Sequence, residues 1–359
     1  MRRQMKAGRR RTGRLLAVVA LAGLAAVGGG CGSSGGDSTS AAVNPSGATA
    51  TTAGGGGQAA KVAYISYSDN DFIQAELSGV KRAVAAHGGS ATIFNAGFDP
   101  QKQVQQCQDA IQSGRYNAIV LAPVAPATGI PCVTAAKAAN IPVVNLEGVV
   151  GQDPNDLEPQ VDGVVGSVLL APIPNAAALT ELTRRACEGL DPCKVIVEVA
   201  TPSDYFTNQV PKMVKEKLPN VEIVQKLAGM YDPSVIAKAF PDALSAHPDA
   251  DVFLSASDSQ ALAVVPALKQ AGKLGQIALI GNGGSRLGAK AVADGTMFGT
   301  AANYPEQMGA AAGKMANQAV NGEPVEPNSV DAMKIDTPLY ITKETVKDFT
   351  PEWGAERPE

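Results

Sequence analysis

From Lys61 onward the chain repeats one pattern, a short apolar, largely β-branched run followed by a helical stretch, and that alternation dictates the kind of fold available to it. The predicted strands are Lys61 to Ser66, Ala91 to Asn95, Asn117 to Ala122 and Ile141 to Asn145. Helical patterns such as Ile73 to His87 and Gln101 to Ser113 separate them. The pattern resumes with Lys194 to Ala200, Val221 to Lys226, Asp251 to Ala256 and Ile277 to Gly281, interleaved with helices near Phe206 to Lys217, Pro233 to Ala246 and Ser259 to Ala271. Alternating β and α units build parallel sheets with helices on both faces. A body of roughly 285 residues is too long for one compact core, so two doubly wound halves are expected.

The two halves share a local signal. Phe98-Asp99-Pro100 opens one helix and Tyr231-Asp232-Pro233 opens another. Asp can cap the first free amides while Pro presets φ at the first helical position. The aromatic before each cap falls beyond the carboxyl end of a strand, the edge where ligands bind in open α/β sheets. The competing reading is a hydrophobic staple packed on its own helix.

The N-terminus places the protein outside the cytoplasm. Residues 1–30 carry seven basic and no acidic side chains ahead of a thirteen-residue apolar stretch, Leu15 to Val27, and Gly28-Gly29-Gly30 then lead to Cys31. This reads as a signal peptide with Cys31 as the lipid-attachment residue, although Gly28 stands where an aliphatic residue is usual. The stretch is shorter than the roughly 20 residues a spanning helix needs. Residues 32–60 hold one charged side chain, Asp37, among Gly, Ser, Thr and Ala, and read as a disordered tether. As a flexible coil it would span about 30 Å.

With Cys31 acylated, the remaining cysteines form two sequence-near pairs, Cys107 with Cys132 and Cys187 with Cys193, and an even remainder in an exported chain suggests disulfides, buried thiols being the alternative. The whole chain is formally −4, and removal of the +7 signal region leaves −11, a poor charge for binding nucleic acid or anionic lipid. There is no CxxC or Cys/His cluster for a metal, and no GxSxG, HExxH, Walker or GxGxxG motif. His87 and His247 lie at a helix end and in a turn, so an enzyme is disfavoured; paired carboxylates for glycoside chemistry could be assembled from Glu147 and Asp258, at a separation the sequence does not supply.

Residues Lys61 to Thr342 resemble type I periplasmic binding proteins of the ribose and galactose kind, whose fold also serves the effector domain of Lac-type repressors. The resemblance is carried by Val62-Ala63-Tyr64-Ile65-Ser66 with Asn70-Asp71-Phe72, by Ile141-Pro142-Val143-Val144-Asn145, and by Ala293-Asp294-Gly295 with Asn303-Tyr304-Pro305-Glu306-Gln307-Met308-Gly309. It implies two lobes joined by three crossovers near Val161 to Gly163, Asn303 and Asp331. The N-terminal lobe would be 61–161 with 304–331, the C-terminal lobe 162–303 with 332–345, and 346–359 a tail. It also implies a ligand set of Asn70, Phe72, Phe98 and Glu147 from the first lobe, and Tyr205, Asn208, Tyr231, Ser257, Asp258, Asn282 and Asn303 from the second lobe and hinges. Aromatic faces with carboxylates and amides suit a polyhydroxylated ligand.

Three departures bear on the ligand. Leu146-Glu147-Gly148 stands where such sugar binders read Asp-Arg after strand four, Asn208 or a neighbour where they place an arginine, and Gly281-Asn282-Gly283-Gly284 where they read Gly-Phe-Asp. The expectation is a monomeric, cofactor-free lipoprotein at the outer face of the cell membrane or in the periplasm. It would hand a small solute, a sugar or related polyol, to the permease of an ABC importer; the alternative is a receptor presenting its closed form to a sensor kinase or chemoreceptor. A repressor is disfavoured, since no helix-turn-helix precedes Lys61.

Overall fold

The structure is a computed structural model that describes residues 57–354 apart from Ser203. The expected signal peptide, Cys31 and most of the expected tether lie outside the described residues. Residues 57–60, at the end of the expected tether, are already part of the body: Ala60 is fully buried, and Gln58 N donates to Asn321 Oδ1 at 2.6 Å while Asn321 Nδ2 donates back to Gln58 O at 3.2 Å.

The elements of the first half are β1 Lys61–Ser66, α1 Asp71–Ala85, β2 Ser90–Asn95, α2 Pro100–Gln112, β3 Ala118–Ala122, α3 Ile130–Ala138, β4 Val143–Glu147 and β5 Val164–Leu169. The second half runs α4 Pro172–Ala186, β6 Cys193–Val199, α5 Tyr205–Lys217, β7 Val221–Ala228, α6 Pro233–Ala246, β8 Val252–Leu254, α7 Asp258–Ala263, α8 Val265–Gln270, β9 Ala278–Gly283, α9 Arg286–Ala293 and β10 Gly299–Ala302. Then come α10 Pro305–Val320, β11 Ser329–Asp331 and β12 Tyr340–Thr342. The strands form two six-stranded sheets, β11-β5-β4-β3-β1-β2 and β12-β10-β9-β8-β6-β7, parallel throughout except for β12 against β10. This is the α/β class of two doubly wound lobes expected from the alternation.

Each sheet is covered on both faces. In the first lobe, α1 and α10 close a core containing Tyr64, Ile73, Val80, Val144 and Met308. On the other face, α2 and α3 cover Ile65, Ile119, Leu121 and Val133. Glycines bring α1 and α10 into near contact: a Cβ on Gly309 would stand 1.9 Å from Glu76 O, and one on Gly79 2.0 Å from Glu306 O. In the second lobe, α4 and α5 cover one face and α6 to α9 the other. The helix expected over Ser259 to Ala271 is split into α7 and α8 at Val264, because Pro266 has no N–H to donate into the preceding turn.

The chain passes between sheets three times. The first passage comes after Leu169, which corrects the division near Val161 to Gly163: β5 pairs with β4 and β11 and so belongs to the first sheet. The reason is packing against a distant part of the chain. Gly166 lets α10 pack close, since a Cβ there would lie 2.8 Å from Met315 Sδ, and an interrupted apolar run of this kind carries a weak strand signal. The other passages lie at Asn303-Tyr304, between β10 and α10, and between β11 and β12. Both cysteine pairs are bridged. Cys107–Cys132 joins α2 to α3 with Cα atoms 5.7 Å apart, and Cys187–Cys193 ties the end of α4 to β6 at 5.6 Å.

The C-terminal segment is not a free tail. Trp353 Nε1 donates to Gly283 O at 2.9 Å, and its ring meets Phe72 edge-on with centroids 5.2 Å apart. Glu352 Oε1 accepts from Glu306 N at 2.9 Å, at the start of α10. The Arg286 guanidinium donates to Gly354 O and Glu352 O at 2.9 and 3.2 Å. The segment therefore straps the second lobe to the first beside the hinge. Here, too, tertiary contacts override a sequence without strong local pattern.

Candidate ligand-binding cleft

The carboxyl ends of the strands in both sheets supply the residues singled out from sequence. Phe98 follows β2, Glu147 ends β4, and Tyr231 follows β7, and all three have left-handed backbones, with φ of 61°, 65° and 52°. Non-glycine residues rarely hold that conformation, and it concentrates where a loop is fixed for a purpose. Phe98 is 49% exposed and Tyr231 36%, so neither aromatic is a staple buried on its own helix. The caps themselves are as expected: Asp99 accepts from Gln101 N and Lys102 N, and Asp232 from Ser234 N.

Around these positions lies a set of buried acids and phenols. Glu147 Oε1 accepts from Tyr67 OH at 2.9 Å, while its buried Oε2 has no hydrogen-bond partner. Burial pushes the Glu147 carboxyl up to about 7, opposed by the Tyr67 hydroxyl. Tyr67 also leans on Phe98, ring centroids 5.3 Å apart. Behind it, Tyr64 OH donates to Glu76, whose other oxygen is unpartnered; burial, then the Glu147 charge, raise the Glu76 pKa well above the usual range. From the second lobe, Glu198 on β6 is 3% exposed. Its Oε2 accepts from Ser255 Oγ at 2.5 Å and Ala256 N at 3.1 Å, and burial pushes it up to about 7 against these bonds and the Gln260 amide. Burial and the charges of Asp204, Glu147 and Glu198 together hold the Tyr231 phenol in its neutral form.

The lobes touch across this cleft. Asn155 Nδ2, between β4 and β5, donates to Tyr205 OH at 2.7 Å, and Phe206 packs on the first lobe's core. At the hinge, Asn175 and Asn282 exchange hydrogen bonds at 3.1 and 3.2 Å and Asn303 Nδ2 donates to Asn282 Oδ1 at 3.3 Å, leaving Asn303 Oδ1 buried without a partner.

Other residues of the expected set are engaged in holding the fold. Asn70 caps α1 through Ile73 N at 3.0 Å. Ser257 caps α7 through Gln260 N. Asn208 Nδ2 donates to Thr201 O and Asp204 O, and its Oδ1 accepts from Lys226. Asp258, 1% exposed, accepts from Ser285 N, Ser285 Oγ and Thr300 Oγ1. Phe72 backs onto Trp353. Sequence reasoning missed Tyr67, Glu198 and Trp353. Two had a signal: Glu198 is the lone acid in the apolar strand Val195-Ile196-Val197-Glu198-Val199, and Trp353 is the chain's single tryptophan.

A family model described as periplasmic binding protein domain matches residues 62–324. The chain belongs to that family. This binding protein is 23% identical to the ribose import binding protein of Bacillus subtilis over 278 residues, covering 76% of this chain and 85% of the relative. It is 24% identical to the D-ribose/D-allose-binding protein of Pseudomonas aeruginosa over 246 residues, 66% and 74% of the two chains. Among solved structures, the fold matches an ABC transporter solute-binding protein from Mycobacterium smegmatis with bound glycerol, with a TM-score of 0.71, 24% identity, and 83% of this chain and 100% of the other covered. A counterpart from Bacillus halodurans with bound myo-inositol matches with a TM-score of 0.69, 20% identity and coverage of 82% and 98%. The binding protein's family is one of solute binders and not of catalysts. Among the described residues no cluster of His, Cys, Asp and Glu is arranged to hold a metal, and no helix is long and apolar enough to cross a membrane.

Proposed function

We propose that the protein is the exported solute-capture component of an ABC importer, held to the membrane by a lipid on Cys31, and that its solute is a sugar or related polyol. The observation that carries this reading is the grouping of aromatics and carboxyls from both lobes, Tyr67, Phe98 and Glu147 on one side and Tyr205, Tyr231 and Glu198 on the other, with Phe98, Tyr205 and Tyr231 exposed. Aromatic faces cover the C–H faces of a ring or chain of hydroxylated carbons, and carboxyls take its hydroxyl hydrogens. Phe72, Asn282, Asn303 and Trp353 would wall the hinge side, while Asn70, Asn208, Ser257 and Asp258 stay with the fold. Relatives named for ribose and D-allose, and structures holding glycerol and myo-inositol, agree in ligand chemistry.

A solute touching both lobes stabilises the closed state by its differential contacts, and that closed form is what a permease would recognise. The test is a thermal-shift screen of the body against sugars, polyols, nucleosides and small amides. A ligand that binds only the folded state raises the midpoint. A rise with a polyol that is abolished by Phe98→Ala or Tyr231→Ala supports the reading. A rise only with non-hydroxylated solutes refutes its ligand half. Retention of the loaded protein, but not the empty one, by its cognate permease in vesicles separates import from sensing.

A further inference from the structure

Beside the covalent passages between the lobes, the C-terminal segment makes a connection that is not covalent. Its root is in the second lobe, where Val346 packs on the core. Its main chain is then held along the start of α9: Arg286 N donates to Trp353 O at 2.9 Å, and the Arg286 guanidinium to Gly354 O and Glu352 O at 2.9 and 3.2 Å. Its grip on the first lobe is made by side chains. Glu352 Oε1 accepts from Glu306 N at 2.9 Å and Gln307 N at 3.4 Å, and so caps α10, whose own N-cap residue Tyr304 makes no side-chain cap bond. Trp353 meets Phe72 edge-on while its Nε1 donates to Gly283 O.

The place of this bridge decides what it does. Gly283 is the last residue of β9, and Phe72 lies in the first turn of α1, beyond the carboxyl end of β1, so Trp353 spans the two cleft-facing edges. The β9 loop leaves room for it: Gly283 has a φ of 148°, and a Cβ there would stand 2.6 Å from Trp353 Cζ2, while one on Gly284 would stand 3.1 Å from Phe349 Cζ. When two lobes part about a hinge, the covalent passages absorb the rotation in their torsions, but a bridge between the parting edges has to let go at one end. We propose that the C-terminal strap is a latch, anchored on the second lobe through Arg286 and Gly283, which holds the first lobe through Glu352 and Trp353 only while the cleft is shut. The first-lobe end is the one that releases, because only side chains hold it. In this structure Asn155 of the first lobe also touches Tyr205 of the second, so the strap is seen latched. A latch of this kind populates the closed form before any solute arrives, which leaves less of the shift for the solute to supply.

The experiment needs no solute, so failure of the polyol reading leaves it untouched. Spin labels are placed on Lys102→Cys and Lys238→Cys, exposed positions near the starts of α2 and α6, the helices that follow the edge strands β2 and β7. The chain carries Cys31→Ser, so that only the introduced thiols react, and is dialysed free of solute. Pulsed electron resonance then gives the distribution of lobe separations. The expected result is a distribution dominated by the separation in this structure, with Glu352→Ala and Arg286→Ala each lowering the closed-to-open ratio about tenfold. The double variant should go no further than either single one, because a latch freed at one end holds nothing, whereas independent contacts add. Trp353→Phe keeps a ring against Phe72, loses the bond to Gly283 O, and should shift the ratio in the same direction, which keeps the test in hand if a larger change unfolds the chain. A mainly open distribution in the otherwise unsubstituted protein overturns the latch. So does a ratio that the single variants leave unchanged, or a double variant whose effect is the product of the two.

Discussion

Asp258 and Glu147 are both acids at the cleft-facing edge of a sheet, and both are expected ligand residues, yet their surroundings are opposite. Asp258 accepts from a backbone amide and two hydroxyls, tying the start of α7 to the loop before α9 and to β10. Glu147 accepts from one phenol, leaves an oxygen bare, and sits on a left-handed backbone. Burial is common to both and so does not separate them; satisfaction does. A buried acid whose acceptor sites are filled by its own chain holds structure, and one left short, as Glu147 is, is the better candidate for a ligand.

The sharpest way to break this contrast is Asp258→Ala, which strands the three donors around it. We expect a stability loss of about 3 kcal/mol in urea denaturation, and a loss below about 1 kcal/mol would remove Asp258 from the structural side. Glu147 and Glu198 should behave in the reverse sense. Their folded pKa values of about 7 lie above the ordinary glutamate value, so between roughly pH 4.5 and 7 the folded state keeps protons that the unfolded chain has lost. Stability of the unliganded protein should therefore fall as pH rises through that window. The double variant Glu147→Gln/Glu198→Gln should flatten the fall and gain on the order of 2 kcal/mol at pH 8. Denaturation midpoints across pH check both points, and an unchanged slope would show that these acids are compensated after all.

Smaller effects test the aromatics. Phe98→Ala and Tyr231→Ala should each weaken solute binding about tenfold, or ~1.4 kcal/mol, while stability moves by less than about 0.5 kcal/mol. A large loss of stability would return them to the role of staples. The smallest expected change is a gain of up to about 1 kcal/mol in Phe98→Gly, from relief of its left-handed backbone.

The alternation of strands and helices was readable because it rests on periodicity, which each segment carries within itself, and the paired Asp-Pro caps because capping is local. The boundary at β5 was not, since Val164 to Leu169 becomes a strand through the approach of α10, some 140 residues later in the chain. Within the cleft, residue type pointed to Phe98, Glu147 and Tyr231. It gave equal weight to Asn70, Asn208, Ser257 and Asp258, whose hydrogen bonds are spent on caps and loops. Which acceptors are already filled depends on neighbours distant in sequence, such as Thr300 for Asp258, and no local pattern records it.

The strap at the C-terminus has an optical consequence. Trp353 is the protein's single tryptophan, and it bridges Gly283 of one lobe and Phe72 of the other. Light absorbed selectively by indole therefore reports from the moving joint alone. Intrinsic emission should follow closure in real time without any dye, turning the unmodified protein into its own sensor. By the same placement, a label for imaging belongs elsewhere on the surface than beside Trp353 and Gly354.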